Sequence, residues 1–133
     1  MKVETIKDKG EVLAIIIKGV NTKNSQFFSP ENFPLQIGTI NKKKGEKVRA
    51  HLHNEPVRTV RATQEVLYVE KGKVRVSIYS NSGKVVAKRI LTKGDKILSA
   101  SGGHGFEILE KTTFFEVKQG PYPGYEKAKT YLE

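Results

Sequence analysis

Two histidines with a single residue between them are the first hint of chemistry in this chain. His51 and His53 flank Leu52 at the end of the segment Gly45–His53. On a β-strand, residues i and i+2 share a face, so both imidazoles would point into one space while Leu52 points away. The third histidine, His104, and the carboxylate of Glu65 are available to complete a set. Such a donor set suits a divalent transition metal. Two solvated histidines on an exposed strand face would give the same local pattern without a ligand.

The elements that must position these residues read as short strands. Glu11–Lys18 is a β-branched apolar run between Gly10 and Gly19, the signature of a buried strand. Asn21–Pro34 is rich in Asn, Ser, Pro and Phe and is expected to wrap the domain as a loop. Strands are expected at Leu35–Ile40 and, after the lysine turn 42–44, at Lys47–His53. Glu65–Glu70 and Lys73–Tyr79 alternate cleanly about Lys71-Gly72, which reads as a hairpin. A second hairpin is expected at Asn81–Gly83, then a turn at Thr92–Asp95, a short strand at Lys96–Leu98 and a glycine-rich corner at Ser99–Gly103. Gly105–Leu109 and Thr113–Lys118 read as the last strands, and Tyr125–Glu133 as one terminal helix. About ten short strands at turn spacing point to an all-β sandwich or barrel.

Bulk properties set the outer limits. The 133 residues suit one domain, 1–133, with a core of its own. With no cysteine there is no disulfide framework, thiolate nucleophile or cysteine-type zinc site. No apolar run approaches the ~18 residues of a membrane span. The first residues carry charges where an export signal needs an apolar stretch, so a cytoplasmic protein is expected. The formal charge of +10 favours anionic small molecules. The basic residues are scattered, and no helix-turn-helix, zinc knuckle or aromatic RNA-binding strand is present, so nucleic acid is not the expected partner.

The segment Gly45–Gly72 resembles the first motif of the cupin superfamily: Gly45, five residues, His51-x-His53, then Glu65, six residues and Gly72. Gly94–His104 resembles the second motif, with Gly94 and Gly102 in their relative places and Ala100 where proline is usual. Two departures stand out. Eleven residues separate His53 from Glu65, a longer gap than the family's, and His104 comes one residue early. The glycines at 102 and 103 suit a tighter turn there.

The resemblance implies a double-stranded β-helix (jelly-roll barrel) with a short C-terminal helix. It implies one divalent transition metal (Fe, Mn, Ni or Zn) held by His51, His53, Glu65 and His104 at the barrel mouth. It also implies homodimerisation, which single-domain members commonly show. The expected function is a metal-dependent enzyme, of dioxygenase or isomerase type, acting on a small polar or anionic metabolite of the sugar or carboxylic acid class. Arg49, Arg61 and Lys118 are the candidates for holding an anionic group. Two alternatives remain: metal-free epimerase or isomerase chemistry, with His53 as base and Tyr68 or Tyr122 as acid, and a non-catalytic metal- or ligand-binding module.

Overall fold

The computed structural model describes residues 1–133. Its strands are β1 (Lys2–Asp8), β2 (Glu11–Lys18), β3 (Gln26–Phe27), β4 (Gly38–Thr39), β5 (Glu65–Tyr79), β6 (Val85–Thr92), β7 (Lys96–Ser99) and β8 (Gly103–Lys118). One helical turn, α1 (Tyr125–Ala128), follows. Six strands form one antiparallel sheet in the order β1-β2-β7-β5-β6, with β8 along the other edge of β5. β3 and β4 make a separate two-stranded sheet. The architecture is all-β, a curled antiparallel sheet.

The β-branched run of β2 is buried on both faces. Leu13, Ala14 and Ile16 enter the main core with Leu67, Val69, Val74, Val76 and Ile97. Ile15 and Ile17 face the other way, where Phe28, Phe33, Leu35 and Ile37 cover them. The Asn21–Pro34 segment therefore wraps the sheet, as its composition suggested, and Leu35 and Ile37 extend that cover where a strand was expected.

Six elements differ from the sequence expectation. Lys71-Gly72 is a bend inside one long strand and not a hairpin turn, because both halves of β5 pair with β8 on one side. On the other side they pair with β7 and β6. Gly72 sits at φ +103°, and a Cβ there would lie 2.3 Å from the Lys111 carbonyl oxygen, so only glycine fits. The buried positions pass from 65, 67 and 69 before the bend to 74, 76 and 78 after it, so the extra residue keeps the same face inward. The two last strands are likewise one, β8, with register shifts opposite the same bend.

Lys47–His53 forms no strand, and residues 46–61 contain neither helix, strand nor turn. Only Gly38–Thr39 of the expected Leu35–Ile40 strand is paired. The terminal helix stops after Ala128 because it buries nothing that would hold a longer one. β1, whose charged positions hide its alternation, was not expected at all. The other turns match expectation: Gly83 donates to Ser80 O, and Thr92 N donates to the Asp95 carboxylate at 2.8 Å.

Candidate functional site

The bend at Gly72 creates the site. Along the β5–β8 ladder, Glu65 stands opposite Lys118 and His104 stands opposite Ile78, at far ends of the ribbon. Folding the ribbon on itself brings those ends face to face. His104 Nε2 donates to Glu65 Oε1 at 2.6 Å. Behind this pair the His104 and Phe106 rings meet at 5.6 Å and the Phe106 and Phe114 rings at 5.2 Å. The polar pair thus caps an apolar interior at the rim of the curl.

The two partners are unequally covered. The Glu65 side chain is 11% exposed and the His104 ring 32%. The hydrogen bond from His104 holds the Glu65 carboxyl down at about 2, against the opposing effect of burial. Hydrogen bonding with Glu116 lowers Glu65 further and pushes Glu116 above the usual carboxylate range. Lys118, opposite Glu65 in register, lies 3.7 Å from Glu116 and adds a positive charge to the rim. Across the other ladder Ser99 stands opposite Glu65, and its buried hydroxyl has no hydrogen-bond partner. Glu116 and Ser99 were missed in the sequence. Glu116-x-Lys118 alternation at the end of the last strand was a legible signal for the first; nothing local marked the second.

His51 and His53 lie elsewhere. Both are exposed on the long connection between β4 and β5, with ring centroids 5.1 Å apart. The i, i+2 spacing does keep the rings together, although no strand imposes it. His51 Nδ1 is 2.7 Å from the Arg49 carbonyl oxygen. A carbonyl only accepts, so Nδ1 is the donor in this contact. Arg49 and Arg61 are exposed on the same connection. The four expected ligands therefore form two pairs, and no group of three or more His, Asp or Glu side chains is arranged to hold a metal ion within the chain.

The donor chemistry fits a divalent transition metal. The 2.6 Å between His104 Nε2 and Glu65 Oε1 is a hydrogen bond, and imidazole and carboxylate become donors for such an ion once the proton between them is displaced. The unpartnered Ser99 hydroxyl beside them is a further polar group without an internal use. Tyr68 is turned away from this face, with Lys96 Nζ 5.9 Å from its ring centroid, and Tyr122 is exposed. A mostly apolar groove of about 330 Å³, lined by Ile17, Phe28, Leu35, Val66 and Val117, lies on the opposite face of the sheet. No helix is long and apolar enough to cross a membrane.

Comparison of the chain with protein-family models, curated proteins and solved structures found no match.

Proposed function

We propose that the protein is a cupin-type metalloprotein, a metal-dependent enzyme acting on a small polar or anionic metabolite in the cytoplasm. The observation that carries this reading is the contact of Glu65 with His104 across the folded ribbon, at the wet end of an apolar interior. His51, His53, Glu65 and His104 are the residues that would hold one Fe, Mn, Ni or Zn ion. The bound ion would act as a Lewis acid toward a carbonyl or enediol oxygen. Lys118 at the rim, with Arg49 and Arg61 on the connection, would hold an anionic group of a sugar or carboxylic acid. The apolar interior behind Phe106 would exclude water from one side of the ligand.

Elemental analysis of the purified, untagged protein tests this. About one equivalent of a transition metal per chain is expected for a four-ligand site of this type. Protein that carries no metal and takes up none on reconstitution overturns the reading.

A second reading is favoured by the same contact. An imidazole held by a buried carboxylate is also an acid–base arrangement, and in a metal-free reaction His104, in place of the expected His53, would be the base. Activity on a sugar substrate that survives complete chelation would select it. A metal-loaded protein whose ligands leave no open position would select the non-catalytic binding module instead.

A further inference from the structure

The chain exposes 10162 Å². A compact monomer of 14.9 kDa exposes about 7,000 Å². The excess, about 3,000 Å², is more than the share each subunit of an obligate dimer usually covers, roughly 1,000–2,500 Å².

Residues 42–63 contribute to that surface, every one of them being exposed. Leu52 is 94% exposed and Val57 100%. The hydrogen bonds within this stretch are local, from Lys43 to Glu46 and from His51 to Arg49, and none ties it to the sheet. Both of its roots are anchored. Asn41 Nδ2 donates to the carbonyls of Asn21 and Asn24, and the buried Gln64 accepts from Gln119 N. An extended arm with fixed roots and exposed apolar side chains lacks a surface to lie on.

One surface of the molecule lacks an arm. β8 pairs with β5 alone, leaving the other edge of a 16-residue strand unpaired. Such an edge is a template for an added strand. It carries three acids, Glu107, Glu110 and Glu116, against Lys111 and Lys118, with Glu107 paired to Arg75 of β5, whereas the edge strand β6 presents Lys88 and Arg89 without an acid. The arm is basic, with seven Lys and Arg residues against Glu46 and Glu55.

We propose that the arm is exchanged between two copies of the chain: the His51-Leu52-His53 stretch of one copy pairs with the free edge of β8 in the other and sets its imidazoles beside that copy's Glu65 and His104. Each site is then built from two chains and is incomplete in one. The chemistry of the completed site rests on the metal reading above, while the exchange rests on surface and topology.

The chain has no cysteine, so introduced thiols are the only ones. The full chain carrying both Leu52→Cys and Glu107→Cys is treated with a bismaleimide and run on a denaturing gel, with each single variant as a control. A covalent dimer whose linked peptides join position 52 to position 107, from protein that sediments as a dimer, is expected. A link within one chain shows the arm folding onto its own sheet and overturns the exchange, as does a sedimenting monomer without links. Metal is measured separately by mixing unfolded His51→Ala/His53→Ala and Glu65→Gln/His104→Ala chains and refolding them together. Exchange restores metal to the mixed dimer, since one of its two sites is whole. A cross-linked dimer that binds no metal in the unsubstituted protein sinks the metal reading and leaves the exchange standing.

Discussion

The β5–β8 ribbon and the connection between β4 and β5 are neighbours in the chain, joined at Gln64, and their surroundings are opposite. In the ribbon, Val69, Val74 and Val76 are wholly buried, and positions 65–68 and 73–79 have a partner on both edges. In the connection, residues 42–63 touch water throughout. Each region carries half of the expected ligand set. The ribbon holds Glu65 and His104 by register and a bend; the connection holds His51 and His53 only by their spacing. The fold of the single chain brings Glu65 and His104 together, and it leaves His51 and His53 without a hydrogen bond to the sheet.

This contrast can be broken or sharpened by substitution. The largest effect is expected at the bend. Gly72→Ala places a Cβ against the Lys111 carbonyl at a φ of +103°. Backbone strain and overpacking together are expected to cost about 4 kcal/mol, measured by chemical denaturation, and to separate Glu65 from His104. A loss near zero would mean that the ribbon does not fold back through this residue.

Next comes the core that the ribbon covers. Leu91 is fully buried, and Leu91→Ala is expected to cost about 2–5 kcal/mol. The site pair follows. His104→Ala leaves the Glu65 carboxylate without its donor and is expected to cost about 1–3 kcal/mol.

The same pair gives a pH dependence. Glu65 is lowered from 4.5 to about 2 in the folded chain, so its contribution is complete above about 4.5 and is lost as pH falls through that interval toward 2. The raised value of Glu116 opposes this in part. Stability measured against pH is expected to fall less steeply in Glu65→Gln than in the unsubstituted protein. An unchanged slope would remove Glu65 from the acid response.

The smallest effect is expected on the connection. Leu52→Ala at high dilution, where chains are single, is expected to change stability by less than about 0.5 kcal/mol, since the side chain has nothing to leave. At concentrations where copies pair, the same substitution is expected to weaken association, read by sedimentation. A large effect on the dilute chain would show Leu52 already packed against its own sheet.

The sequence was legible where burial and turn chemistry agree. The β-branched run of β2, the Asn81–Gly83 turn, the Thr92–Asp95 turn and the wrapping phenylalanines all declare themselves locally. Lys71-Gly72 did not, because a glycine between two alternating runs serves a hairpin and a bend equally well. Only the third strand, β8, decides between them, and it lies more than thirty residues away. The Glu65–His104 hydrogen bond has no local signature, since it depends on that bend; the resemblance implied only that both residues belong to one ligand set. The Lys47–His53 strand failed for a related reason: alternation supplies a strand's faces, but a strand also needs an edge to pair with. Nothing in residues 47–53 says where that edge is.

The question that matters most is whether the two pairs act as one site, and calorimetric titration with Zn, Ni, Mn and Fe(II) answers it directly. For whichever ion binds the unsubstituted protein, His51→Ala/His53→Ala and Glu65→Gln/His104→Ala are both expected to abolish the high-affinity phase, leaving only weak binding. Full affinity retained by either variant would show that one pair suffices alone and would contradict a site assembled from the ribbon and the arm.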